Sequence, residues 1–172
     1  NHYSHLHISA LLTNLSALFT PIGEQRKLQY TRDIAPDIVA WTDKDKLEKI
    51  MFNLLSNAFK HSPKNQEIHL MVSSEAGQLK IAVANSGCHI PTDQLDKLFD
   101  KFFASGTNEQ EKFSAGIGLA FTRQLVTLLQ GQISVQSDQN WVTFIVLLPL
   151  SHIHTANAWI LREDTTTDAT PS

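Results

Sequence analysis

Over residues 43–61 the chain repeats apolar residues at a helical interval, and the opposite arc of that helix carries two asparagines one turn apart. At 3.6 residues per turn, Leu47, Met51, Leu54, Leu55, Ala58 and Phe59 share one wide stripe that only Glu48 interrupts. A stripe of this width has to be buried against a second layer. Asn53, Asn57 and Lys60 fall on the other side, with Lys46 and Lys49 on the same arc. Asparagine is a poor helix former, so two of them beside a lysine call for a reason. Carboxamide oxygens can ligate a hard cation such as Mg2+, and an ammonium beside them can hold phosphate. Taken alone, the segment reads slightly better as a solvated polar face. The rest of the chain reverses that.

The flanking pattern supplies the second layer. Residues 8–22 form an amphipathic helix with Ile8, Leu11, Leu12, Leu15, Leu18 and Phe19 on its apolar side, Ser9 as N-cap and Pro21 at its end. Short strands are predicted at 28–31 and 38–42, and alternating strands at 67–73 and 79–84 around a turn at Ala76-Gly77. Residues 85–91 read as a loop, and Thr92 caps a short helical stretch reaching Leu95, Leu98 and Phe99. The polar segment 104–114 reads as a mobile loop. A helix over 116–130 is ended by Gly131, and strands at 133–137 and 141–148 close the pattern. Strands come in pairs rather than singly between helices. The predicted class is α+β: a two-layer α/β sandwich with a mixed, mostly antiparallel sheet of about five strands and about three helices on one face.

Composition narrows the function. The 172 residues suit one domain, and 42% hydrophobic content is enough for a core. A net charge of −3 gives no basic surface for nucleic acid. No apolar run approaches the roughly 20 residues of a membrane helix. The single cysteine, Cys88, excludes an internal disulfide and reads as a packing residue. His2, His5 and His7 alternate, but no carboxylate or thiol completes a metal-ligand set around them.

Two further motifs bear on the asparagine helix. Asn85-Ser86-Gly87-Cys88-His89-Ile90-Pro91 follows a strand; there a carboxamide with both an acceptor and a donor can read an amino group, although in isolation a simple turn explains the run better. Ser114-Ala115-Gly116-Ile117-Gly118-Leu119 opens a helix, where glycines let backbone amides approach phosphate oxygens. It lacks the ending of a Walker loop and the preceding strand of a dinucleotide fingerprint.

Taken in order, these motifs resemble the ATP-binding catalytic domain of sensor histidine kinases, members of the GHKL group with its Bergerat ATP-binding fold. Asn53-Leu54-Leu55-Ser56-Asn57-Ala58-Phe59-Lys60-His61-Ser62-Pro63 is similar to the family's N box, and residues 85–91 to its first glycine box. Leu98-Phe99-Asp100-Lys101-Phe102-Phe103 resembles the phenylalanine box, and Ala115-Gly116-Ile117-Gly118-Leu119-Ala120 the second glycine box. The strand containing Thr143-Phe144 resembles the closing strand. The resemblance runs from about residue 9 to residue 150, most of the chain.

That resemblance implies ATP and Mg2+ as cofactors. Asn57 would be the metal ligand, Asn53 would lie on the phosphate side, and Lys60 would contact phosphate; these three are the expected catalytic residues. His61 would lie against the base or ribose, and Asn85 would read the adenine amino group. Gly87, Ile90, Phe102, Ile117, Leu119 and Thr143 complete the expected nucleotide-binding set, with 104–114 as the ATP lid and Gly116 and Gly118 cradling the phosphates. Asn85 stands where many members have Asp, and an amide holds an amino group less strongly than a carboxylate does. His89 and Ser114 each replace a glycine of the two boxes.

The implied reaction is transfer of the ATP γ-phosphoryl group to a histidine on a separate dimerisation domain of the same parent protein, for relay to an aspartate of a response-regulator receiver. Residues 1–8 would then be linker from the dimerisation helices and 151–172 a flexible C-terminal linker. The fragment itself would be a monomeric cytoplasmic piece without membrane contact, and its parent would be anchored in the inner membrane. Two other classes stay open: a degenerate, non-catalytic signalling module, and an ATPase of the mismatch-repair type. The latter carries Glu to activate water where Asn53 stands, and Asn53 cannot act as a general base.

Overall fold

Alternation along four antiparallel-paired strands builds the face on which the helices rest. The structure is a computed structural model that describes residues 2–100 and 109–155, with side chains for 2–100 and 118–150. The elements run β1 (Tyr3–His7), α1 (Ile8–Ala17), α2 (Thr20–Gln25), β2 (Gln29–Ile34), β3 (Ile38–Asp43), α3 (Lys44–His61), β4 (Glu67–Glu75), β5 (Gln78–Ser86), α4 (Thr92–Leu95), α5 (Glu109–Leu128), β6 (Gln132–Ser137), β7 (Trp141–Pro149) and β8 (Ser151–Thr155). One sheet has the order β2-β4-β5-β7-β6, with β2 parallel to β4 and every other pair antiparallel. Ile68, Leu70 and Val72 of β4, Leu79, Ile81 and Val83 of β5, and Val142, Phe144, Val146 and Leu148 of β7 point to one side and are buried.

Against that face lies α3, burying Leu47, Ile50, Met51, Leu54, Leu55, Ala58 and Phe59. A buried side chain of Leu size contributes about 2 kcal/mol. The six of these that are Leu-sized or larger easily outweigh the helix-propensity cost of Asn53 and Asn57, about 0.5 kcal/mol each. The expected two-layer α+β sandwich and its mixed, mostly antiparallel five-stranded sheet are therefore present.

A second, three-stranded sheet of order β1-β3-β8 was not foreseen. It takes residues 3–7 and 151–155, which read as the ends of two linkers, and pairs them on either side of β3. The first helix also differs. It breaks after Ala17, and Pro21 sits in the first turn of α2 instead of closing α1. A proline inside a continuous helix would clash with the carbonyl four residues back, which is that of Ala17. Ser9 does not cap α1. His7 does, accepting from the Ala10 amide at 3.1 Å, while the Ser9 hydroxyl donates to the Ala35 carbonyl and accepts from the Ile38 amide, stitching the β2–β3 turn.

The last long helix begins earlier than the sequence reading placed it, at Glu109, so residues 109–114 are helical and the rest of the predicted lid, 104–108, lies outside the described residues. Glu109, Gln110, Glu111 and Lys112 are good helix formers, and acidic side chains favour a first turn. At its other end Gln130, not Gly131, takes the left-handed conformation, with φ +60°. The Gly131 amide reaches the Val126 carbonyl and the Gln130 amide that of Thr127, a Schellman arrangement. Gly131 is glycine for another reason. A Cβ there would stand 2.4 Å from the Leu147 carbonyl oxygen and 2.6 Å from Leu148.

Candidate functional site

The asparagine arc of α3 faces α5 across a cleft of about 180 Å³, lined by Phe52, Asn53, Ser56, Asn57 and Lys60 on one side and Gly118 and Leu119 on the other. Five of the residues expected at a site from sequence thus meet in one place: Asn53, Asn57, Lys60, Gly118 and Leu119. The three lysines of the arc divide. The Lys46 ammonium is 3.1 Å from Asp43, and the Lys49 ammonium is 2.9 Å from Asp45. Both ammonium groups thus point toward carboxylates at the start of α3, Lys46 in a mostly buried pair and Lys49 in an exposed one, and of the three Lys60 lines the cleft.

Both ends of α3 are held. Asp43 is the N-cap, its carboxylate accepting from the Lys46 amide, the Lys46 ammonium and the His2 amide, each at 3.1 Å. Burial alone would raise its pKa, but these donors together hold it below the ordinary carboxylate value. At the far end the Ser62 hydroxyl donates to the Ala58 carbonyl at 2.6 Å.

The Asn85 region is not among the described residues that line this cleft. Asn85 is within β5, only 3% exposed, opposite Ile68 and Val142 on the helix-facing side of the sheet. The Cys88 thiol donates to the His61 carbonyl at 3.1 Å, tying the loop after β5 to the end of α3. Burial pushes that thiol's pKa up, while a hydrogen bond with the Asn85 side chain pulls the other way. Gly87 has φ +79°, and a Cβ there would meet the Gln66 side chain at 2.6 Å. Beside it, the Ser86 hydroxyl accepts from the Glu67 amide and donates to Gln66. Ile90 is half-buried against the core, and its amide donates to the Ser137 hydroxyl at 2.9 Å.

Three expectations need correction or fall elsewhere. Thr143 pairs with Ala84 and alternates with the buried Val142 and Phe144, so it lies on the sheet face turned away from α3 and does not belong to the cleft. Gly116, Ile117 and Gly118 are inside α5 instead of at its start, because the helix already begins at Glu109; the side chains of 109–117 lie outside the described residues. Phe102 also lies outside the described residues. Phe52 and Ser56 were missed. The signal was available for Phe52, a large apolar residue at the border between the apolar stripe and the polar arc that remains 49% exposed.

The donor set fits a cation that brings its own ligands. Among the described residues no group of three or more His, Cys, Asp or Glu could hold a metal ion. The cleft offers carboxamide and hydroxyl oxygens with one ammonium beside them, which suits Mg2+ carried largely by phosphate oxygens and water better than a fully protein-bound metal.

Residues 42–152 match the family described as histidine kinase-, DNA gyrase B-, and HSP90-like ATPase. That stretch covers most of the chain, including α3, the end of β5 and α5, and the protein belongs to this family. Among curated relatives, the alginate biosynthesis sensor protein KinB of Pseudomonas aeruginosa is 31% identical over 81% of this chain and 23% of its own length. The sensor histidine kinase RcsC of Escherichia coli strain K12 is 33% identical over 81% of this chain and 15% of its own. The chain therefore spans less than a quarter of these relatives. Among solved structures, the catalytic domain of the histidine kinase ThkA superposes with a TM-score of 0.77 at 22% identity, covering 87% of this chain and 96% of that one. Full-length ShkA in complex with AMPPNP gives 0.77 at 21% identity, over 90% of this chain and 32% of that one. The fold is that of histidine kinase catalytic domains.

Proposed function

We propose that this chain is the Mg-ATP-binding catalytic domain of a two-component sensor histidine kinase. It would donate the γ-phosphoryl group to a histidine on a separate dimerisation domain of its parent, for relay to a response-regulator receiver. The observation that carries the reading is the cleft in which Asn53, Asn57 and Lys60 of α3 face Gly118 and Leu119 of α5. Asn57 would contribute a carboxamide oxygen to Mg2+, Asn53 would stand on the phosphate side, and Lys60 would contact phosphate. His61 and Asn85 would serve the base end, beneath the loop that Cys88 ties to α3. Phosphoryl transfer asks mainly for positioning and charge stabilisation, and a helix held at both ends supplies positioning.

ShkA bound to AMPPNP and ThkA bound to the response regulator TrrA support the choice of nucleotide and of partner by analogy. No helix among the described residues is long and apolar enough to cross a membrane. Calorimetric titration with a non-hydrolysable ATP analogue, with and without Mg2+, tests the reading. Saturable binding that weakens without the metal and in Asn57→Ala is the expected result; no binding at millimolar ligand would overturn it.

A further inference from the structure

The cleft sits at the wrong end of α3 for a polyanion. Helix carbonyls left unpaired at a C-terminus carry partial negative charge, and Lys60 belongs to the last turn. The structure holds a cation against those carbonyls. Arg26, immediately after α2, donates from one guanidinium nitrogen to the Phe59 carbonyl and from the other to the Ser62 carbonyl, the second at 2.8 Å. The two bonded carbonyls bracket Lys60 and His61. A planar guanidinium spans both at once, which a single ammonium cannot do.

We propose that Arg26 is a positioning residue for the cleft: its guanidinium pins the last turn of α3, offsets the negative end of the helix, and so holds Lys60 where it meets the phosphates. Arg26 acts through Lys60 without touching ligand itself. Sequence spacing gives no hint of the pairing, because 33 residues separate Arg26 from Phe59. The proposal rests on reading the cleft as a nucleotide site, and its test separates the two.

The test is a double-mutant cycle on this chain: wild type, Arg26→Ala, Lys60→Ala and the double variant. Each is titrated with the non-hydrolysable ATP analogue in Mg2+, alongside amide hydrogen exchange without ligand. Arg26→Ala should weaken binding about fivefold to tenfold, and the loss should vanish in the Lys60→Ala background. Arg26→Lys should recover part of the affinity, since an ammonium can still serve one carbonyl. Losses that multiply independently in the double variant would overturn the proposal. Where Arg26→Ala does not fold, the same cycle with Arg26→Lys decides. Exchange at residues 59–62 should rise roughly tenfold in Arg26→Ala while the middle of α3 stays protected. Unchanged exchange there sinks the clamp whatever the nucleotide does. A wild type that binds no nucleotide, with raised exchange in the variant, would sink the nucleotide reading and leave the clamp standing.

Discussion

Asp43 engages Lys46 twice, through the backbone amide and through the ammonium, both at 3.1 Å. One residue thereby ends β3, caps α3 and removes a lysine from the arc that faces the cleft. Replacing it with Ala should cost about 2 kcal/mol, from the lost cap and a stranded, mostly buried ammonium. Asn, which keeps a capping oxygen, should cost less. The native carboxyl titrates below its ordinary value, so its contribution is complete above the unfolded value of about 3.9 and fades as pH falls toward the native one. Urea unfolding at pH 7 and pH 3 should show the gap between wild type and Asp43→Ala shrinking in acid. An equal gap at both values would mean that the charge contributes nothing.

Tyr30 answers at the opposite end of the pH scale. Burial raises its phenol to about 12, against the lowering effects of Arg32 and of the Ser16 side-chain hydroxyl. The hydroxyl donates to the Ser16 carbonyl at 2.9 Å, joining β2 to α1. A raised native pKa means that the stabilisation is whole below pH 10 and drains away as pH climbs from about 10 to 12. Tyr30→Phe should cost about 1 kcal/mol at pH 7 and should lose less than wild type does between pH 9 and 11. Parallel losses in the two proteins would show that this phenol does not govern alkaline unfolding.

Periodicity made α3 and the five-stranded sheet legible, because one wide apolar stripe and paired alternating strands leave few other arrangements. The Asn53, Asn57 and Lys60 constellation was legible for the same reason, since it lies within a single helix. What the sequence concealed depended on contacts between distant segments. The β1-β3-β8 sheet joins residues 3–7 to residues 151–155 through β3, and neither outer segment has strong alternation of its own. Thr143 was misplaced because a motif match fixes a position along a strand but not which face it occupies. Lys46 and Lys49 share the arc of Lys60, and only the acidic side chains beside them show that their ammonium groups turn toward the start of α3.

Two glycines that look alike in sequence should behave oppositely. At Gly131 a Cβ would run into backbone, the Leu147 carbonyl oxygen at 2.4 Å, and backbone cannot step aside cheaply. Gly131→Ala should lower stability by about 2 kcal/mol or more through displacement of β7 against the end of α5. At Gly118 a Cβ meets nothing within 4 Å among the described residues, and the residue is in a helix interior. Gly118→Ala should therefore leave stability unchanged or raise it by up to about 1 kcal/mol. Its added methyl group enters a wall of the cleft, so affinity for the ATP analogue should fall severalfold without loss of stability. Thermal unfolding and titration of both variants separate the two effects. Unchanged affinity in Gly118→Ala would place the ligand away from this part of α5.

Phe52 is the residue at which the cleft can be tested without touching a polar ligand group. It is 49% exposed at the edge of the arc of Asn53 and Lys60, and its ring lies 5.5 Å from that of the buried Phe19. It lines the cleft and also an apolar groove of about 330 Å³ shared with Leu18, Ile22 and Phe59. Half of its surface is already in water, so truncation forfeits only part of a full core contribution, about 1 kcal/mol. Phe52→Ala should leave the chain folded while opening the wall between cleft and groove to water, which weakens every charged contact beside it. Affinity for the ATP analogue should drop severalfold, with Phe52→Leu close to wild type because volume and apolarity are nearly kept. Titration of the three proteins at one salt concentration checks this. Equal affinity in Phe52→Ala would mean that the phosphates bind too far along α3, toward Lys60, for this wall to shield them.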